Sequence, residues 1–132
     1  AGMKLLDTDI CIHLLNAQEP ALIERFRAHS PLELALCSVV RAELLWGARN
    51  SARPDDNLER VRRFAAPLRS LVFDDPCAEC YAVIRADLSA RGQLIGPNDL
   101  LIAAIARAHQ ATLVTRNLRE FQRVAGLTVE TW

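Results

Sequence analysis

IGPNDLLIAAI, residues 95–105, is the stretch on which the reading of this chain turns. Gly96, Pro97 and Asn98 form a turn that delivers one carboxylate, Asp99, into the first turn of a helix. Proline fits an early helix position because its missing N–H would have no partner there in any case. Behind Asp99 run Leu100, Leu101, Ile102, Ala103, Ala104 and Ile105, apolar on nearly every side, which predicts a buried helix. An acid at the mouth of such a helix has two readings. It compensates the helix dipole, for roughly 0.3–1 kcal/mol, or it belongs to a site presented by a rigid element.

The neighbouring segments alternate between short apolar runs and amphipathic ones. Met3–Leu6 reads as a buried strand with Asp7 at its carboxyl end, and Thr8-Asp9 opens a helix through Leu15. Pro20–His29 is an amphipathic helix and Leu34–Cys37 a second strand. Ser38 reads as the N-cap of a helix over Val39–Arg49. A helix from Pro54 toward Ala66, a strand over Ser70–Phe73 and a long helix from Asp74 to Gly92 precede the Asp99 helix. Ala111–Thr115 is a strand, Glu120-Phe121 lies in a short helix, and Leu127–Glu130 is an edge strand. Strands that alternate with helices predict a three-layer α/β/α fold with a mainly parallel central sheet. Sites in such sheets form beyond the carboxyl ends of the strands, where Asp7 and Asn117 fall.

The 132 residues are 51% apolar and suit a single domain over residues 3–132, with Ala1-Gly2 set aside as a cloning remnant. Sixteen basic residues balance sixteen acidic ones, so any nucleic-acid contact must be a local patch. Aromatic residues make up only 5%, which weighs against base-stacking platforms. No apolar run has the roughly 18 residues of a membrane span. Cys77 and Cys80 have metal-like spacing, but no second such pair and no nearby His–Cys pair completes a tetrahedral site. The cysteines therefore read as reduced thiols of a cytoplasmic protein. His13, His29 and His109 read as peripheral.

Glu43 is a further acid in an apolar setting, among Val39, Val40, Ala42, Leu44 and Leu45. A lone buried carboxylate is costly unless it is paired, protonated or metal-bound. A salt bridge, to Arg41 or another arginine, is the plain alternative. Asp7, Glu43 and Asp99 are far apart in sequence, and their convergence would explain all three charges together. Clustered carboxylates favour a hard cation, Mg²⁺ or Mn²⁺, over zinc. Such an ion activates water and neutralises charge on a phosphoryl oxygen, which is the chemistry of phosphoester hydrolysis.

LLDTDICIHLL at 5–15, SVVRAELLWGA at 38–48, IGPNDLLIAA at 95–104 and TLVTRNLREF at 112–121 resemble, in order and spacing, the motifs of PIN-domain ribonucleases, above all the VapC toxins of bacterial toxin–antitoxin pairs. The resemblance runs from Met3 to Trp132. It implies an α/β/α fold, Mg²⁺ or Mn²⁺ held by acids, endonucleolytic cleavage of RNA (a structured RNA such as tRNA being plausible), and a homodimer. It also implies a VapB-like antitoxin that occludes the site and carries any contact with operator DNA. Position by position, Asp7, Glu43 and Asp99 match the three core acids. Asp9 stands where relatives often have Asn; it either adds charge or supports Asp7 by hydrogen bonding. Asn117 takes the fourth site position, often an Asp, where an amide can orient water or substrate. Glu120, one helical turn on, is the candidate to supply the missing acid. Ser38 and Thr115 fall near the expected rim, and Arg116 is the foremost of several arginines for phosphate contact. Leu45, Trp46 and Tyr81 belong either to the core or to a partner surface.

Two rival readings remain. Asp7-Thr8-Asp9 after a strand fits the nucleophile motif of haloacid-dehalogenase-type phosphatases, but the single lysine, Lys4, precedes it and none follows. A catalytically inert PIN-fold module, acting only by binding antitoxin or operator, has Asn117 in its favour and the intact trio of acids against it.

Overall fold

The computed structural model describes residues 2–132; Ala1 of the dipeptide set aside above lies outside them. Five short strands form the central layer: β1 (Lys4–Leu6), β2 (Leu34–Cys37), β3 (Arg69–Leu71), β4 (Thr112–Val114) and β5 (Val129–Glu130). Their order is β3-β2-β1-β4-β5, and every pairing is parallel. A parallel sheet requires a crossover between neighbours, so helices flank it: α1 (Thr8–Asn16), α2 (Pro20–Arg27), α3 (Ser38–Arg49), α4 (Pro54–Ala65), α5 (Asp75–Ala90), α6 (Pro97–Ala108) and α7 (Leu118–Phe121). This is the α/β/α architecture expected from the sequence. From β1 the chain builds outward to β3 on one side, then returns to build β4 and β5 on the other. The direction of winding therefore reverses between β1 and β4, the kind of crevice in which open parallel sheets place their sites.

The core explains the apolar runs. Leu5, Leu6, Leu36, Leu113 and Val114 are fully buried on the strands, as are Ile102 through Ala106 on α6. α6 packs along α5, and the two ends of this helical hairpin are locked by similar means. At the end of α5, Gln93 N–H bonds Leu88 C=O (2.8 Å) and Gly92 N–H bonds Ser89 C=O (3.1 Å), with Gly92 at φ 65°. At the end of α6, Ala111 N–H bonds Ala106 C=O (2.9 Å) and Gln110 N–H bonds Arg107 C=O (3.1 Å), with Gln110 at φ 53°. Both are Schellman endings, but only the first uses the residue that takes a left-handed backbone without a Cβ penalty.

Four details differ from the sequence reading. The third strand is Arg69–Leu71 rather than Ser70–Phe73. Ser38 is the first helical residue and not a cap: Cys37 occupies the cap position without a side-chain bond, and Ser38 Oγ donates to Leu71 C=O at 3.4 Å. α3 buries only Val40, Leu44 and Ala48, so it is amphipathic rather than mostly buried. A 3-10 turn over Pro31–Glu33 precedes β2, closed by a reciprocal Ser30–Glu33 capping box whose S-x-x-E signature the sequence carries openly.

Burial predicts a loss of about 2–5 kcal/mol for Ile102→Ala in chemical denaturation, because the cavity is closed on all sides. Gln110→Gly should gain roughly 0.5–1 kcal/mol by relieving the left-handed position.

Candidate active site

Asp7 is the first residue beyond β1 and is only 5% exposed. Its carboxylate is held from two sides: Oδ1 accepts from Thr8 N–H (2.8 Å) and Oδ2 from Thr115 Oγ1 (2.7 Å). Asp7 N–H in turn donates to Val114 C=O at 2.9 Å, extending the β1–β4 pairing. Thr115 is fully buried at the end of β4, and its hydroxyl also accepts from Asn117 N–H at 3.0 Å. Burial pushes the Asp7 carboxyl up to about 6; the Thr115 hydroxyl opposes this, and the charges of Asp9 and Glu43 add to it.

The other acids arrive from separate elements. Glu43, half-buried in the middle of α3, accepts from Thr8 Oγ1 at 2.7 Å. Among the described residues it has no ion pair, so the salt bridge to Arg41 is not formed. Asp99, half-buried in the first turn of α6, is pushed up to about 7. Desolvation is the main cause; the Glu120 carboxyl beside it, then the charges of Asp7 and Glu43, reinforce it. Two carboxyls side by side disfavour each other's charge, which adds to the burial that raises Asp99. Glu120 is fixed in turn by Asn117 Nδ2, which donates to its Oε2 at 3.1 Å. Asn117 and Glu120 are thus both present, the amide orienting the acid.

Asp9 supports the loop after β4 rather than Asp7: its Oδ1 accepts from Ile10 N–H (2.7 Å) and its Oδ2 from Arg116 N–H (3.2 Å). It reaches Asp7 through charge alone. The Arg116 guanidinium is not held out for phosphate. It is occupied by both oxygens of Glu19 (3.0 and 2.7 Å) and by Trp132 C=O (3.1 Å). Ser38 bonds the end of β3 and makes no hydrogen bond to the acids. Lys4 is paired with Glu130 at 2.7 Å, so it cannot serve an aspartyl-phosphate at Asp7. Thr8, which ties Glu43 to the end of β1, was not singled out from sequence; its only signal was its place between two acids.

The donor set fits a hard divalent ion. Every side chain that converges here offers oxygen, and the raised Asp7 and Asp99 mark negative charge that no lysine or arginine offsets. Among the described residues, no three of these acids bring an oxygen each within 4.8 Å of one another. A Mg²⁺ ion, which keeps several waters and takes one or two carboxylates, would need no closed protein cage. A groove of about 260 Å³ opens beside Glu43, between α1, α3 and α4, lined by Ile12, Leu15, Leu44 and Val61.

The chain is similar to known proteins along nearly its whole length. The PIN domain family model matches residues 4–127. Ribonuclease VapC2 of Rickettsia felis is 35% identical over 129 residues, covering 97% of this chain and 96% of the relative. The tRNA(fMet)-specific endonuclease VapC of Shigella flexneri is 37% identical over 128 residues, with the same coverage. Among solved structures, the DNA-bound VapBC of Salmonella typhimurium superposes with a TM-score of 0.94 at 34% identity, covering 100% of this chain and 99% of that one. VapBC2 of Rickettsia felis, bound to a promoter DNA fragment, superposes with a TM-score of 0.92 at 33% identity, covering 98% of each chain. The family model over residues 4–127, the identities along nearly the whole length and the superposable fold have one explanation: the chain belongs to the PIN domain family, in its VapC branch.

Proposed function

We propose that this chain is a metal-dependent endoribonuclease, the toxin of a toxin–antitoxin pair. The reading is supported by Asp7, Glu43 and Asp99, from three separate elements, being near enough for the charges of Asp7 and Glu43 to raise Asp99 and that of Glu43 to raise Asp7. Asp7 and Asp99 would hold Mg²⁺ or Mn²⁺, with Glu43 binding directly or through water. The ion supplies the positive charge that offsets negative charge building on the scissile phosphate. The chain's own groups provide rigidity. The Thr115 hydroxyl and Thr8 N–H aim Asp7, the Thr8 hydroxyl aims Glu43, and Asn117 aims Glu120.

RNA is the substrate class, and tRNA is the first RNA to test, since the Shigella relative is named for tRNA(fMet). The partner is a VapB-like antitoxin, as in the VapBC complexes that the fold resembles. The apolar groove beside Glu43 is placed for an antitoxin segment that covers the acids. Zero net charge supports leaving operator contact to the antitoxin. Exposed Trp46, Val83 and Leu94 leave apolar area for a homodimer. Among the described residues no helix is long and apolar enough to cross a membrane.

The deciding experiment incubates purified chain with tRNA in Mg²⁺ or EDTA and maps new 5′ ends. Asp7→Asn and Asp99→Asn should each cut cleavage by about 100-fold or more while leaving a folded protein. Parental cleavage by Asp99→Asn would refute the assignment. Thr115→Val removes a hydroxyl that favours the charged form of Asp7. It should move the acid limb of the pH–rate profile upward by about one unit.

Stability should follow the same acids. Asp7 and Asp99 bind protons more tightly folded (about 6 and about 7) than unfolded (3.8), so stability falls as pH rises through this window. The carboxyls held low, Glu19, Asp74, Asp87 and Glu130, have already ionised below it. Without divalent ions Tm should drop by roughly 5–10 °C between pH 5 and pH 8. Saturating Mg²⁺ should flatten that slope, and a Tm that instead climbs with pH would contradict the raised carboxyls.

A further inference from the structure

At the far end of α6 from Asp99, the fold assembles a second group of ligand-type side chains. Asp74 is the N-cap of α5, Cys77 lies in that helix's first turn, and His109 caps the carboxyl end of α6. One ligand atom from each, a carboxylate oxygen, Sγ and a ring nitrogen, lies within 4.8 Å of the other two. Among the described residues this is the one trio of acid, Cys and His side chains that close. Ten residues of α6 separate His109 from Asp99, about 15 Å along the axis, so one ion cannot serve both places.

We propose that Asp74, Cys77 and His109 form a binding site for a thiophilic divalent cation of the zinc type, distinct from the acid cluster. The donor set decides the class. One sulfur, one nitrogen and one oxygen suit Zn²⁺ and exclude Mg²⁺ as the preferred ion. Ligands on a tetrahedral Zn²⁺ with bonds of about 2.0–2.3 Å stand roughly 3.5 Å apart, so the trio needs only small side-chain adjustments to close. Water completes the fourth position.

The three residues are also unequal in a way that fits binding. Cys77 is fully buried, and its Sγ lies 3.6 Å from Val72 C=O and against the Asp74 carboxylate, which accepts from the thiol. Asp74 and His109 are exposed, which leaves a path for the ion from solvent. One Asp74 oxygen caps Cys77 N–H at 3.2 Å. The His109 ring makes no hydrogen bond among the described residues. Burial, and then the hydrogen bond to Asp74, push the thiol up and keep it protonated, so cation binding displaces one proton from Sγ to solvent and forms the metal–sulfur bond in its place. The bound ion clips the start of α5 to the end of α6, opposite the 91–96 loop that already joins them.

The test uses the full chain stripped with EDTA, then titrated with Co²⁺ as a spectroscopic substitute for Zn²⁺. A thiolate-to-cobalt charge-transfer band should grow to saturation at one equivalent, with release of one proton per ion. It should vanish in Cys77→Ala and His109→Ala and persist in Asp99→Asn. In Asp99→Asn, where the acid cluster is weakened, Zn²⁺ should raise the Tm, and adding His109→Ala should remove that rise. His109 is exposed, so this variant separates lost binding from failed folding. A parent without the band, a band that survives in His109→Ala, or one lost in Asp99→Asn would overturn the site.

Discussion

The hydrogen bond from Thr115 Oγ1 to Asp7 Oδ2 is the contact on which the arrangement of the site rests. It spans 108 residues of sequence and 2.7 Å of space. Asp7 closes β1 and Thr115 closes β4, the two strands between which the winding reverses. A carboxylate at that depth is expensive in water-free surroundings. The hydroxyl offsets part of the cost without adding positive charge, so Asp7 is held in place and still repels its acidic neighbours. An arginine there would have stabilised the fold more and left no negative field.

The same economy recurs around the cluster. Thr8 holds Glu43 and Asn117 holds Glu120, both through neutral donors. Arginine is plentiful in this chain, yet the cation closest in sequence, Arg116, is drawn off by Glu19. Glu19 thereby has its own carboxyl held below the usual range, and Arg116 lends only its backbone N–H, to Asp9. Stabilising ion pairs thus form beside the cluster, not within it, and the excess negative charge stays where a divalent cation can use it.

What the sequence made legible and what it hid divide along distance in the chain. Asp7 after an apolar strand and Asp99 after Gly96-Pro97 are local signals, and both stand where local chemistry places them. The buried α6 follows from its own composition. The fate of Arg116 depended on Glu19, 97 residues earlier, and that of Ser38 on Leu71, 33 residues later. Adjacency to a site residue says nothing about such partners. α3 misled in another way: Val39, Ala42 and Leu45 look like core, but small and aliphatic residues also sit on half-buried faces, and only every fourth position, Val40, Leu44 and Ala48, is enclosed. The Cys77–Cys80 spacing suggested a metal and lacked a histidine; the histidine lay 32 residues on, brought back by the α5–α6 hairpin.

That hairpin gives α6 two chemically different ends. Its amino end presents a carboxyl raised by burial and by other acids, in all-oxygen company suited to a hard ion. Its carboxyl end places an imidazole beside a buried thiol. The interior of α6, from Ile102 to Ala106, is fully buried and has no room to deform without opening the core. A cation bound at His109 would act on Asp99 by restraining α6 as a rigid body, with a direct field weakened by the length of the helix between them. Restraint of α6 fixes the Asp99–Glu120 contact, whose other half is held from α7 by Asn117. Any coupling between the two ends runs through the packing of one helix, while each end keeps its own donor set.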